Sequence, residues 1–276
     1  MTRRLTGNDM LAEPRRAAES AAESEPVNWM ARAGLTARGL TYILIGVLAL
    51  LLALGASGKH ADQKGAMTEL LSHSYGSLLL GALAVGFFGY AVWRLLEAAF
   101  GVTGEPNSAT ARLKSAGRGV IYLGLMLTAV NALRGSSQSQ SGQQETITSR
   151  TLAHTGGRSL VIAVGLAVVA VAAVMIVEGW KLKFMRFFQH IPREVRRLVV
   201  HLGRIGTIGR GCVFAVAGLL VVIAGWKLDP HYAGGMDAAF RTVLGQPYGR
   251  VLGVTAALAL VAFGVYGLAE ARWRRV

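Results

Sequence analysis

One block of residues occurs three times in this chain. Arg32 to Tyr42 reads R-x5-R-G-x2-Y, Arg112 to Tyr122 reads the same, and Arg204 to Phe214 repeats it with Phe in the last place. Each copy opens an apolar stretch. Each is followed by a second apolar stretch carrying Gly and Glu at one fixed spacing: Gly76 and Glu97, Gly157 and Glu178, Gly249 and Glu270. The unit is a pair of apolar helices with arginine at the entrance and glutamate at the exit. A single hairpin of this kind cannot bury its small-residue faces, so neighbouring copies must stack.

The apolar stretches are too long for a soluble core. The chain is 53% hydrophobic and 16% charged, against about 25% charged for a soluble domain. Residues 39–58, 74–93, 159–177 and 251–269 contain no Asp, Glu, Lys or Arg, and two shorter runs, 119–133 and 211–226, lie between them. A helix rises ~1.5 Å per residue and a bilayer core of ~30 Å takes ~20 residues. Four runs reach that length unaided. The other two reach it when the helix starts ahead of Arg118 or Arg210, whose heads can extend to the phosphates. The expected fold is therefore all-α and integral to the membrane, with six transmembrane helices as three parallel two-helix repeats in a pseudo-threefold arrangement. Parallel repeats differ from the inverted repeats of many transporters.

The net charge of +14 raises nucleic-acid binding, but its distribution argues against it. More than two-thirds of the 29 Lys and Arg fall on the N-terminal tail, the second and fourth loops and the C-terminal tail. The positive-inside rule then puts both termini in the cytoplasm, so topology explains the excess, with the bacterial inner membrane as the expected location. Trp93-Arg94, Trp180-Lys181 and Trp273-Arg274 read as headgroup anchors on that side.

The expected organisation is a disordered cytoplasmic tail at 1–28, repeat 1 at 29–100, repeat 2 at 111–181, a basic amphipathic linker at 182–202 and repeat 3 at 203–274. The tail lacks the apolar core of a cleavable signal peptide, and a helix is expected to start near Asn28 or Trp29, with Asn28 as N-cap. A short amphipathic outer segment precedes the second helix of repeat 1 (Met67, Leu70, Leu71) and of repeat 3 (Met236, Phe240, Val243, Leu244). Leu71, Leu152 and Leu244 all stand five residues before the repeat glycine, although the middle copy is diluted by a flexible Ser- and Gln-rich stretch, 136–144. Gly46, Gly81, Gly86, Gly89, Gly218, Gly264 and Gly267 read as close-packing positions. Cys212 reads as a small core residue.

These features carry a resemblance. The threefold A-R-x-G-x-x-A-R-G-x-x-Y-type entrance and the glycine-to-glutamate second helix resemble a bacterial membrane family, domain of unknown function 1206, over residues 29–274. Phe214 replaces tyrosine in the third copy, and the second has no tyrosine before Gly157. The family has no established activity. The resemblance implies three tandem two-helix modules and a membrane location.

Arg38 and Tyr42 share a helix face at i and i+4, as do Arg118 with Tyr122 and Arg210 with Phe214. Arg38, Arg118 and Arg210 on odd helices and Glu97, Glu178 and Glu270 on even helices could meet near one plane as interhelical ion pairs. The competing readings are solvated interface charges and an ion or proton path. In the linker, Lys181, Lys183, Arg186, Arg193, Arg196 and Arg197 alternate with apolar residues around Pro192, which fits segments lying on an anionic leaflet or an ordinary basic connector.

No phosphate loop, HExxH, CxxC or GxSxG is present, and His60, His73, His154 and His231 lack ligand spacing. The expectation is no catalytic residue, no metal and no cofactor. The partners expected are the bilayer, with anionic lipids and an unidentified membrane protein as candidates, and not nucleic acid. The expected function is a non-enzymatic structural or lipid/protein-interaction module. The alternative is a small transporter or channel along the pseudo-threefold axis.

Overall fold

The computed structural model describes residues 25–55, 61, 63–72, 74–100, 108–135, 140–188 and 191–274. Among these residues lie nine α-helices: α1 (Glu25–Ala53), α2 (Gln63–Leu71), α3 (Gly76–Phe100), α4 (Ala109–Leu133), α5 (Gln140–Leu152), α6 (Gly157–Trp180), α7 (Arg193–Lys227), α8 (Gly235–Leu244) and α9 (Gly249–Trp273). Short 3-10 turns occupy Lys183–Phe187 and Pro230–Ala233. Six helices, α1, α3, α4, α6, α7 and α9, are long and apolar enough to cross a membrane. Helices are the natural solution there, because every backbone polar group in lipid must be satisfied within its own segment.

The closest helix pairs are α6 with α7, α9 with α1, and α3 with α4. Each joins the second span of one repeat to the first span of the next, counting cyclically. Within repeats, α1 packs on α3 and α7 on α9, whereas α4 and α6 do not pack closely. The spans therefore follow an arc, α6–α7–α9–α1–α3–α4, whose two ends face each other across a gap. α4 and α6 are also the least buried spans.

Small residues set the seams. A Cβ on Gly264 would stand 2.6 Å from the Gly39 carbonyl oxygen, and one on Gly39 would stand 2.8 Å from the Gly264 carbonyl oxygen. Only two glycines allow α1 and α9 to approach this closely, and in lipid such contact takes the place of a hydrophobic drive. Around that crossing Ile45, Leu260, Phe263 and Tyr266 form the main core, while Leu80, Phe87 and Ala129 form a second core between α3 and α4.

The repeat glycines share one cause. Gly76, Gly157 and Gly249 each begin a span where the chain folds back on the helix just ended. A Cβ there would meet the carbonyl oxygen of Leu70 at 1.7 Å, of Thr151 at 1.8 Å and of Leu244 at 2.4 Å. α8 is further clamped by buried Asp237, which accepts from the Ala61 backbone N–H at 2.9 Å and from Arg241 Nε at 2.8 Å.

Several expectations are corrected. The middle repeat is not flexible throughout its connector, because α5 is helical from Gln140; residues 136–139 lie outside the described ones. Likewise, α1 already runs at Glu25, with Pro26 in its first turn where no N–H is needed, so Asn28 is not its N-cap. The tail before residue 25 lies outside the described residues, as do His60, His73 and His190. Gly81 has no atom near its missing Cβ and is not a packing position. Cys212 is exposed on α7 rather than buried. Trp93 and Arg94 are buried, and so is Arg274; of the three anchor pairs only Trp180-Lys181 is exposed on both residues.

The linker also differs from two segments lying flat on a leaflet. Phe184 is buried against Tyr266, with ring centroids 5.1 Å apart, and Phe188 packs on the same ring at 5.8 Å. From Arg193 onward the chain is one 35-residue helix. At ~1.5 Å per residue that is about 50 Å, well beyond a ~30 Å core, so residues 193–202 are a projecting extension of the fifth span. Pro192 stands at its N-cap.

Candidate functional site

Local helix spacing builds the charged layer. Tyr90, Arg94 and Glu97 lie on one face of α3. The Arg94 guanidinium donates to the Tyr90 hydroxyl from Nε at 3.0 Å and from Nη2 at 2.8 Å, and its Nη1 donates to Glu97. Ser115 Oγ on α4 adds a 3.1 Å hydrogen bond to the same carboxylate. At the end of α9, Glu270 accepts from Arg274 Nη1 at 2.6 Å and from Arg38 of α1. The Trp93 ring joins the two clusters, with Arg94 at 4.3 Å and Arg274 at 5.3 Å from its centroid. Phe187 covers Arg274 from outside at 4.6 Å.

Of the repeat arginines and glutamates, Arg38 and Glu270 form an ion pair. Glu97 instead takes its guanidinium from its own helix. Arg118 is exposed and Glu178 half-buried; neither makes an ion pair with any described residue. Arg210 points away from Glu178. Its guanidinium lies 4.8 Å from the Tyr42 ring centroid, 4.8 Å from that of Phe263 and 5.1 Å from that of Phe214.

The first arginine of the motif has a role not recognised from the sequence. Arg32 donates to the carbonyls of Ala271 at 3.0 Å and Arg272 at 2.7 Å. Arg112 donates to those of Ala98, at 2.8 Å, and Ala99. Each cation thus satisfies the orphan carbonyls closing the partner span and meets the negative end of its dipole. Arg204, in the third copy, lies over the Trp180 ring at 4.6 Å. Recurrence of the arginine was a visible signal, but a backbone acceptor leaves no trace in sequence. Arg94 could have been found from the i, i+4, i+7 spacing of Tyr90, Arg94 and Glu97.

Above this layer lies a cavity of about 580 Å³. Arg38, Arg210 and all three motif aromatics, Tyr42, Tyr122 and Phe214, line one end, while Gln144 and Thr148 of α5 line the other. Its side wall is α4 and α6, through Ile121, Leu125, Val164 and Val168. Ile121 and Val164 are more than half exposed, so the cavity opens sideways through the gap between these two spans. The Nε atoms of Arg38 and Arg210 are buried without an acceptor among the described residues. The six linker cations, Lys181, Lys183, Arg186, Arg193, Arg196 and Arg197, are exposed on the opposite side of the layer. Among the described residues no three His, Cys, Asp or Glu gather as for a metal.

These features define a multi-pass helical membrane protein made of tandem two-helix repeats around a lateral cavity. The family described as Domain of Unknown Function (DUF1206) matches at residues 33–101, 113–181 and 205–274, and the chain belongs to it. It is similar to "Uncharacterized protein YxxB" of Bacillus subtilis (strain 168), 29% identical over 252 residues covering 89% of this chain and 91% of that protein. No solved structure matches it. Its molecular function is accordingly unknown.

Proposed function

We propose that this protein is a non-enzymatic interaction module of the bacterial cytoplasmic membrane, both termini cytoplasmic, that admits a bilayer molecule into the cavity between α4 and α6. The observation carrying this reading is the sideways opening of a cavity of about 580 Å³, within the ~300–1,000 Å³ usual for ligand sites. A ligand reaching it through lipid needs no aqueous route. The Arg/Glu layer closes the end lined by Arg38 and Arg210, where Glu97 and Glu270 are buried and bonded to their guanidinium partners. The lining supports binding over reaction: arginines, threonines, Gln144, the phenols of Tyr42 and Tyr122, and carbon, with no carboxylate, histidine or cysteine among its described residues. Cytoplasmic termini follow from the basic loops, whose exposed cations would each gain ~1 kcal/mol near an anionic leaflet.

A transport path has Thr41, Thr128, Gln144 and Thr148 on the cavity wall in its favour. A spin label at Leu125→Cys, in a Cys212→Ser background, separates the two. In lipid vesicles the module reading expects collisions with oxygen to dominate over those with a water-soluble nickel chelate. Dominance of the nickel chelate would replace the module by the transport path.

A further inference from the structure

Resting on the lateral-cavity reading, we propose that the occupant is an anionic lipid whose head sits on Arg210 and whose chain runs out between α4 and α6. The argument starts from charge. Arg38 and Arg274 share the single carboxylate of Glu270, and Arg94 has Glu97, so this part of the layer already holds one more cation than anion. Arg210 adds another. It makes no hydrogen bond or ion pair with any described residue, and its Nε is buried. Three aromatic rings surround it. Ring faces attract a cation, but they do not neutralise it.

A charge held among apolar groups without an anion is costly, and natural structures pair it. The pair that repetition would supply, by analogy with Arg38 and Glu270, is Arg210 with Glu178, and it is not made. Arg210 lines the cavity instead. From Arg210 to Lys227 the helix continues for about 25 Å, so in a ~30 Å core the guanidinium lies just below one headgroup level, where a lipid head is a nearer partner than a free aqueous ion. A guanidinium fork matches phosphate or carboxylate oxygens in pairs. Beyond the head, Leu125, Val168 and Val221 present carbon to a chain.

The test is native mass spectrometry of the full-length protein released from vesicles of equal phosphatidylglycerol and phosphatidylcholine. Wild type is expected to retain phosphatidylglycerol about tenfold over phosphatidylcholine, the effect of one charge-assisted contact. Arg210→Gln should abolish that preference, Arg210→Lys should keep part of it, and Arg197→Gln, outside the cavity, should leave it intact. Val221→Trp should lower retention of both lipids. Excess inorganic phosphate should not displace the lipid.

Equal retention of the two lipids by wild type overturns the head assignment and leaves the cavity reading standing. Retention of neither overturns both. A preference that survives Arg210→Gln, disappears with Arg197→Gln, or yields to phosphate alone also overturns the proposal. Should Arg210→Gln fail to fold, the Arg210→Lys and Val221→Trp arms decide by the same criteria.

Discussion

At the residue scale, the repeated charges divide according to what stands beside them. Arg94 is 1% exposed and holds both the Tyr90 hydroxyl and the Glu97 carboxylate. Replacing it with Gln leaves Glu97 buried with Ser115 as its remaining polar partner, and stranding a buried charge costs about 3–5 kcal/mol. Arg118 forms no ion pair with a described residue and lies exposed, so Arg118→Gln is expected to cost under ~1 kcal/mol. Melting in detergent checks this contrast: Arg94→Gln should lower Tm several-fold more than Arg118→Gln, and equal shifts would contradict it. The motif marked Arg118 and passed over Arg94. Sequence repetition reports a shared ancestry of positions, whereas an ion pair also needs a carboxylate within reach. The guanidinium that a glutamate takes from its own helix comes from a different offset in each case, three residues before Glu97 and four after Glu270, and Glu178 has none among the described residues.

At the element scale, glycine does two separable jobs. Along seams it permits contact, so Gly264→Leu, which drives side chain into the Gly39 carbonyl and Ile43, is expected to cost at least the ~1–3 kcal/mol of overpacking and to lower Tm. Gly81, with open space around it, should accept Ala with a change within ~0.5 kcal/mol. A Tm loss at Gly81→Ala comparable to that at Gly264→Leu would refute the seam argument. The spans themselves were legible, because uncharged length is a local property. The fifth was read too short. Its early turns carry Arg193, Arg196 and Arg197, and charge density alone reads as a connector. Tertiary contacts of Val199 and Gly203, both buried, extend the helix through this region.

At the scale of the whole molecule, the gap between α4 and α6 is the feature with most consequence. With Cys212→Ser as background, Ile121→Cys and Val164→Cys together should resist direct oxidation to a disulfide, which needs Cα atoms within ~7 Å, yet be bridged by a long bis-maleimide. Efficient disulfide formation would mean that the two spans close on each other. For the proposed orientation, reporters fused before Met1 and after Val276 should both be active in the cytoplasm. A reporter active outside the cell at either end would overturn it.

The sequence by itself determined the six apolar spans, the register of the three repeats, and the glycines at which the second spans begin. Apolar length, backbone self-satisfaction and the steric demand of a tight fold-back all act within a few turns of chain. Tertiary structure alone decided that α4 and α6 stay apart and that Arg210 faces a cavity rather than a glutamate. Three copies with one motif are locally alike, and only the packing around each copy determines which charge finds a partner.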